Sequence, residues 1–200
     1  MTTLGACMAS LPVQPLTMNQ SIRSTLRHAV LLLVAFASAT TARAGTFSTA
    51  AWTNDATSYI ASGQTTWAYH FGAATTATVN GVTVPGIAST SPSYTGPDFD
   101  LSGIQSAVDN DTNNITALGG TGSAVIANDF IYGGNPGSIT VKGLIPGTIY
   151  TVSFYSVNWD GGLGYRLINF TSGPDSLIVD QNQFGNENGI RVDYTFTAAA

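Results

Sequence analysis

Residues 143–162, with the sequence GLIPGTIYTVSFYSVNWDGG, determine the fold that this chain is expected to adopt. Pro146 and Gly147 predict a tight turn, because proline presets φ for the second position and glycine accepts the positive φ that follows. From Tyr150 onward apolar residues recur at every second position, which is the period of a β-strand with one buried face. The parity of this pattern changes at positions 154–155. The strand therefore either carries a β-bulge there or is buried on both faces.

The composition narrows the class of fold. Of the 200 residues 44% are hydrophobic and only 8% are charged, so the chain can bury a sizeable core but has few side chains for surface ion pairs. Glycine, threonine, serine, asparagine and alanine dominate the rest, a mixture typical of short strands joined by polar turns. The length favours one domain rather than two.

Residues 1–44 have the pattern of a signal peptide. A basic segment precedes an apolar run at 29–37, which suits the core of a signal peptide but is too short to span a bilayer. An alanine-arginine-alanine triplet then supplies a small-x-small cleavage signal. We therefore expect export, no membrane span in the mature chain, and a single domain over residues 45–200. Met18 is an alternative start of translation.

The charge of the mature chain limits its partners. Removing the signal peptide leaves three cations, Lys142, Arg166 and Arg191, against eleven carboxylates, for a net charge of about −8. We expect no nucleic-acid partner, because binding phosphates needs a basic face. Cys7, the only cysteine, lies before the expected cleavage site, so the mature chain lacks a thiol for a disulfide, a metal site or a nucleophile.

Further short strands are predicted on both sides of the central one. They are expected at 46–54, 59–60, 66–71, 78–84, 123–132, 165–170, 177–179 and 190–196. Asn80 and Gly81 predict a tight hairpin, because an asparagine-glycine pair between strand formers favours a type I′ turn. Leu101, Ile104 and Val108 have helical spacing and predict one short helix within 99–108.

About eight short strands with at most one helix predict an all-β fold, an antiparallel β-sandwich. The expected connectivity is a galactose-binding-like jelly roll, with an immunoglobulin or fibronectin III-like sandwich as the alternative. The sequence stops at Ala200, directly after the strand at 190–196, and we expect that the domain lacks its last strand.

Several segments together resemble a family of exported bacterial proteins from planctomycete and verrucomicrobial lineages. These segments are VNGVT at 79–83, ANDFIYGGNP at 127–136, the central stretch with Trp159 and Asp160, VDQ at 179–181, FGN at 184–186 and GIR at 189–191. Members of this family often carry a sorting tail of the PEP-CTERM type and are similar to galactose-binding-like jelly rolls. The resemblance implies export and a place at the cell surface, and it supplies no catalytic residues. It does not extend to the sorting tail.

The segment GLIPGTIYTVSFYSV at 143–157 also resembles the tyrosine-corner strand of fibronectin type III domains. This second resemblance favours a sandwich as well. The usual role of such a corner is packing.

Side chains that could support catalysis are few, and we expect no enzymatic activity. His70 is the only histidine of the mature chain, and no G-x-S-x-G serine accompanies it, so a hydrolase triad has little support. It is expected to be an ordinary strand histidine. The aspartate pairs at 98–100 and 109–111 suggest the paired carboxylates of a glycosidase, but aspartates this close in a loop usually mark turns.

The sequence also contains incomplete ligand motifs. Residues 109–113 begin like an EF-hand loop, but Asn114 stands where glycine is required and Gly120 where the bidentate glutamate belongs. A looser structural calcium site, with Asp180 and Glu187 as further ligands, is the alternative, and no other cofactor is expected. The glycine-rich segments at 119–122 and 161–164 fail the dinucleotide fingerprint and are predicted to be turns.

An aromatic and polar group of residues is the most specific candidate for a binding site. Trp159 and Asp160 lie at the end of the central strand, and Tyr132 and Asn135 lie at a turn before a neighbouring strand. Sugar rings present apolar C–H faces and hydroxyl edges, so an exposed tryptophan beside a carboxylate and amides suits a polysaccharide. The alternative is that Trp159 closes the end of the core.

The sequence therefore predicts a non-catalytic exported protein of the cell surface or extracellular matrix that binds carbohydrate. A structural protein that associates with itself is the alternative. A polysaccharide-degrading enzyme is the least expected function.

Overall fold

A computed structural model describes residues 3–4, 44–88, 92–109, 118–134, 136–157, 166–185 and 188–199. Strands make up 49% of the chain, and the described residues include one short α-helix. In chain order the elements are β1 (Thr3–Leu4), β2 (Thr46–Trp52), β3 (His70–Phe71), β4 (Thr76–Val79), β5 (Val82–Ile87), β6 (Ser93–Thr95), β7 (Phe99–Ser102), β8 (Ser106–Val108), α1 (Thr121–Asn128), β9 (Phe130–Tyr132), β10 (Ser138–Val141), β11 (Ile149–Val157), β12 (Leu167–Ser172), β13 (Asp175–Asp180) and β14 (Gly189–Thr197). The protein is an all-β sandwich, as the sequence predicts.

The main sheet contains three antiparallel strands in the order β11-β14-β2. Residues paired directly across these strands share a face of the sheet. Face A carries the row Val152–Tyr194–Phe47, and face B carries the next row, Ser153–Asp193–Ser48. The strand β11, on which the sequence-based prediction of the fold depends, is therefore an outer strand of this sheet, and β14 is its central strand.

The turn before β11 has the predicted form. The Thr148 amide donates to the Ile145 carbonyl at 3.1 Å, and Gly147 between them has a φ of 79°. Tyr150 then begins the buried part of the strand, and its hydroxyl accepts a hydrogen bond from the Ile145 amide at 3.1 Å. This bond to the backbone a few residues upstream is typical of a packing tyrosine corner.

The change of parity in β11 reflects burial on both faces. Its pairing with β14 runs without interruption from Ile149 to Val157, so the strand has no bulge. Val152 packs into a cluster on face A, whereas Tyr155 and Val157 pack into a different cluster on face B. The apolar core therefore crosses from one side of the sheet to the other along this single strand.

Two units cover face A. The sheet β10-β7-β6 packs against it through Leu101, which shares a cluster with Val152. The hairpin β12-β13 packs through Phe170 and Val179, which share a second cluster with Val192. Both units belong to the second layer of the sandwich.

Within the described part of the chain, face B is covered at one end only. The mixed sheet β3-β5-β4, in which β3 and β5 are parallel, and the helix α1 lie over this end. Val79 and Ile126 join Trp52 and Tyr155 in one buried cluster, and the two large rings meet edge to face at 5.0 Å. A fifth sheet, β1-β9-β8, completes the described pairings.

The local predictions succeed at the hairpin and fail at other segments. Asn80 and Gly81 have φ values of 48° and 79° and join β4 to β5, as predicted. The helix predicted within 99–108 is wrong, because this segment forms β7 and β8 with a turn at Gly103, whose φ is 73°. The strand predicted at 123–132 is also wrong over its first part, which is helical.

The helix α1 has a cause that lies far away in the sequence. The Asp55 carboxylate accepts hydrogen bonds from the Ser123 amide at 2.7 Å and the Gly122 amide at 3.4 Å. A carboxylate at a helix N-terminus satisfies free amide groups and interacts favourably with the helix dipole. The segment 119–122 is therefore more than the turn that the sequence predicts. It opens the helix α1, and its Gly122 amide binds the internal carboxylate of Asp55.

Candidate functional site

The structure describes one of the four residues predicted to bind carbohydrate. Trp159, Asp160 and Asn135 lie outside the described residues. Tyr132 is partly buried in β9, opposite Ser106 of β8. The expectation that this turn precedes a strand beside β11 is wrong, because β10 pairs with β7. The sequence predicts a helix over the β7 segment, so it does not predict that β10 pairs with β7.

The open end of face B is instead the most polar surface of the main sheet. Each of its rows takes one residue from each of the three strands. The two outer rows are Thr151–Thr195–Thr46 and Ser153–Asp193–Ser48, and the next row inward is Tyr155–Arg191–Ala50. Hydroxyl groups and a carboxylate therefore form a regular array with the strand spacing of about 4.8 Å.

An ion pair marks the border between this array and the buried end of face B. The Arg191 Nε lies 2.9 Å and 3.0 Å from the two carboxylate oxygens of Asp193. The Ser153 hydroxyl donates to the same carboxylate at 2.6 Å, and an Arg191 Nη donates to the Thr57 carbonyl at 2.8 Å. Only 7% of the arginine side chain and 15% of the aspartate side chain are exposed. The pair is thus held in one geometry by bonds on several sides.

Tyr59 stands over this ion pair. The Arg191 guanidinium carbon lies 4.1 Å from the centre of the tyrosine ring, an arrangement suited to a cation–π contact. Even so, 67% of Tyr59 is exposed. Its φ is 64°, in the left-handed region, which costs an L-residue about 1 to 2 kcal/mol. The fold therefore holds a large aromatic ring towards solvent at a cost in backbone strain, and such strain clusters at functional sites.

The segment around Tyr59 is fixed by hydrogen bonds on both sides. It forms a one-turn 3₁₀ helix at Ala56–Ser58 and not the predicted short strand. The Thr57 hydroxyl accepts from the Thr53 amide at 2.8 Å, and Asn80 Nδ2 donates to the Ile60 carbonyl at 2.9 Å. The Tyr155 hydroxyl donates to the Ser58 carbonyl from beneath. The ring is therefore positioned before any ligand arrives.

Chemically, the Tyr59 surface, defined as Tyr59, Arg191, Asp193 and the two hydroxyl rows, offers an aromatic face beside hydrogen-bonding groups. Sequence reasoning did not select it. The signal that the sequence offers for this surface is the alternation of polar and apolar residues along a strand. Arg191, Asp193 and Thr195 alternate with apolar residues in this way. That pattern identifies a polar face but not the loop residue that covers it.

His70 occupies a closed site instead. It is fully buried, and its Nε2 lies 2.8 Å from the Thr75 carbonyl oxygen, which can only accept, so Nε2 carries a proton. Its Nδ1 lies 3.3 Å from a carboxylate oxygen of Asp129, which is 4% exposed and also accepts from the Thr75 hydroxyl at 3.1 Å. With no exposed atoms at the ring, this arrangement suits structural support of β3 rather than catalysis.

The aspartates at 98 and 100, which the sequence could suggest as a glycosidase pair but which usually mark turns, make separate structural contacts. Asp98 accepts a hydrogen bond from the Tyr69 hydroxyl, and Asp100 lies 2.6 Å from the Lys142 ammonium. Burial, followed by the neighbouring Asp98 carboxylate, raises the pKa of Tyr69 to about 12. Both aspartates are thus engaged with side chains of other strands or loops.

The calcium candidates lie largely beyond what the structure describes. Positions 110–117 and Glu187 fall outside it, and Asp180 accepts from the Asn182 amide at 2.9 Å within its own turn. Among the described residues, no group of three acidic, histidine or cysteine side chains gathers in a way that would hold a metal ion.

In the same described part of the chain, no helix is long and apolar enough to cross a bilayer. Comparison of the sequence and structure with protein-family models, curated proteins and solved structures finds no match.

Proposed function

We propose that this chain is a non-catalytic exported protein of the cell surface or extracellular matrix that binds polysaccharide at the Tyr59 surface. The observation that carries the proposal is the Tyr59 ring, 67% exposed, held in a left-handed conformation over the Arg191–Asp193 pair. Sugars stack their C–H faces on aromatic rings and direct their hydroxyls to carboxylates and hydroxyl groups at the edge. The Tyr59 surface provides both kinds of contact on a rigid sheet.

The charge of the protein favours an uncharged polysaccharide. With about −8 for residues 45–200, the chain repels polyanions such as uronic acid polymers. Arg191 is the cation of the Tyr59 surface, and Asp193 already neutralises it. A neutral glycan therefore meets less electrostatic opposition there than an acidic one.

Export and family membership are supported by the sequence. The signal-peptide pattern of residues 1–44 and the resemblance to PEP-CTERM-type surface proteins both favour export, and the all-β sandwich suits a galactose-binding-like jelly roll. Absence of catalysis is supported by the structural contacts that seven of the eight described carboxylates make. Each of the following accepts a hydrogen bond or forms an ion pair within the fold: Asp55, Asp98, Asp100, Asp129, Asp175, Asp180 and Asp193.

The test is affinity electrophoresis of the protein secreted by a bacterium that expresses the full chain. Native gels contain a neutral β-glucan, a neutral galactomannan or an acidic pectin, each with and without calcium. Retardation by a neutral polymer and not by pectin is the expected result. Tyr59→Ala should weaken binding by about tenfold, as loss of one aromatic contact predicts. Tyr59→Trp should retain it.

Two further variants separate the possible sites. Ile178→Ala removes another exposed apolar side chain, 65% exposed on β13, and should leave binding unchanged. Trp159→Ala tests the site predicted from the sequence. Binding that is lost in Trp159→Ala and kept in Tyr59→Ala would contradict the Tyr59 surface. Absence of retardation in every gel would contradict carbohydrate binding altogether.

A further inference from the structure

A second feature of the fold, independent of the Tyr59 surface, is a groove of about 920 Å³ over face A. Every residue of β10 lines one side of this groove, and every residue of β12 lines the other. No residue of β6 or β13 lines it. The groove therefore separates the two units that cover face A, the sheet β10-β7-β6 and the hairpin β12-β13.

The floor of the groove is apolar and incompletely covered. Val152, Tyr194 and Phe47 form one register row of the main sheet, and Phe154 and Phe196 flank it. The rings of Phe47 and Tyr194 lie 4.3 Å apart. All four aromatic residues of this floor are only partly buried. In a sandwich of this size such residues normally lie beneath a strand of the opposite layer.

Both walls of the groove are strand edges. Among the described residues, β10 pairs with β7 alone and β12 pairs with β13 alone. Each strand therefore presents a row of backbone N–H and C=O groups on its other side, which is a template for pairing with a further strand. Two such edges that line the same groove define a position for one strand between them.

The walls set the length of that position. The wall strand β12 is six residues long and lines the groove along its whole length, so a strand paired with it would have a similar length.

The lining also limits the chemistry of the occupant. None of the described residues that line the groove is charged. A charged side chain placed on this apolar floor would lose its hydration without a partner, which is costly. The occupant is therefore an uncharged extended segment whose apolar side chains alternate, so that one set contacts the floor.

We propose that this groove accepts a single extended strand from a separate polypeptide, paired with β10 and β12 at once. The second layer would then run without interruption as β6-β7-β10-donor-β12-β13. A separate polypeptide is favoured because each described strand of this chain already pairs with at least one other. A polysaccharide fits less well, because a neutral glycan has no regular backbone amides to satisfy two strand edges.

The test uses the full chain secreted from a bacterial host and a fluorescein-labelled, acetylated peptide of sequence STVTVTVTS. Its uncharged side chains alternate between polar and apolar. The expected result is saturable binding by fluorescence anisotropy, with slower hydrogen exchange of amides in both 138–141 and 167–172. A matched peptide with N-methyl groups at alternate residues cannot pair along one edge and should not bind.

Three variants place the peptide in the groove. Ile139→Lys and Ser172→Lys change partly buried residues that line it on the floor side, one on each wall, and either should weaken binding by about tenfold or more. Thr83→Lys changes an exposed strand residue outside the groove and should have no effect. Circular dichroism checks that each variant is folded. If one wall variant does not fold, the other still tests the proposal.

Several results would overturn the proposal. One is failure of the peptide to bind, and another is binding without slower exchange at both walls. A third is displacement of the peptide by a neutral β-glucan, which would make the groove a glycan site. Loss of β-glucan binding in Tyr59→Ala with unchanged peptide binding would show that the two proposals concern separate sites.

Discussion

The left-handed conformation of Tyr59 predicts an unusual order of stabilities among its variants. In Tyr59→Ala the Cβ atom remains, so the backbone strain of about 1 to 2 kcal/mol remains too. The variant also loses the cation–π contact with Arg191, worth about 0.5 to 1 kcal/mol at an exposed site. Since 67% of Tyr59 is already exposed, little apolar burial is lost. Tyr59→Ala should therefore be less stable than the wild type by about 1 kcal/mol.

Tyr59→Gly loses the same contact but relieves the strain. Glycine adopts φ near 64° freely, although its unfolded state gains about 0.4 to 1 kcal/mol of conformational entropy. The two effects leave Tyr59→Gly more stable than Tyr59→Ala by about 0.5 to 1 kcal/mol. Both variants should lose polysaccharide binding alike. Comparing stability and binding in Tyr59→Gly and Tyr59→Ala therefore shows whether the Tyr59 ring serves binding or stability.

The measurement is urea unfolding followed by tryptophan fluorescence, with equal m-values required for the comparison. Ile178 provides the control, because it is 65% exposed in β13 and is not among the described residues with positive φ. At this position glycine should be less stable than alanine by about 0.5 to 1 kcal/mol, so the order reverses. If Tyr59→Ala proves as stable as Tyr59→Gly, or more so, the inferred strain is absent.

Three other substitutions test the structure around the site. Asp193→Ala leaves the Arg191 guanidinium largely buried without its carboxylate and should lower the free energy of unfolding by about 3 kcal/mol, measured by urea unfolding. Asp55→Ala removes the carboxylate at the start of α1 and should cost about 1 to 2 kcal/mol in the same assay, whereas an unchanged midpoint would show that the contact is dispensable. Tyr69 should ionise near pH 12 in an ultraviolet titration, and because its folded pKa lies above the unfolded 10.0, its contribution to stability is present below pH 10 and lost as the pH rises towards 12. Asp98→Asn should lower that pKa only in part, since burial is the larger cause.

Elements specified by adjacent residues could be predicted from the sequence, and elements specified by distant ones could not. Pro146 and Gly147 fix the turn before β11 by their own dihedral preferences, and the hairpin between β4 and β5 follows from the same kind of preference. The helix α1 depends on Asp55, which lies 68 positions before the amide it binds at Ser123. A local reading of its small and β-branched residues therefore favoured a strand.

The candidate site shows the same division. The polar parity of β14 is visible in the sequence, and it places Arg191 and Asp193 on one face. Tyr59 reaches that face only because the chain reverses through a 3₁₀ turn that is bonded to β11 and to Asn80. The sequence contains no periodic signal for such a turn. Trp159 was the more conspicuous aromatic residue, and it lies outside the described part of the chain.

The change of parity within β11 connects the fold to the Tyr59 surface. In the first half of the strand the apolar side chains face A, so face B there carries the polar residues Thr151 and Ser153, and Ser153 is buried with its hydroxyl bonded to Asp193. In the second half Tyr155 and Val157 face B, and α1 with the β4-β5 hairpin covers them. When the apolar side chains of a strand change from one face of the sheet to the other, each face is left with one polar half. That half must either be exposed to solvent or be covered by polar groups that hydrogen-bond to it.

On face A the polar position is Ser156, whose hydroxyl accepts from Gln181 at 2.5 Å beneath the β12-β13 hairpin. On face B the corresponding half stays open, and Arg191 lies at its inner border with Asp193 as its partner. An arginine placed one row further in would meet Trp52, and one row further out it would take the position of Asp193, its partner. This border is where a largely buried cation can support the exposed Tyr59 ring, and the alternation of β11 determines where the border lies.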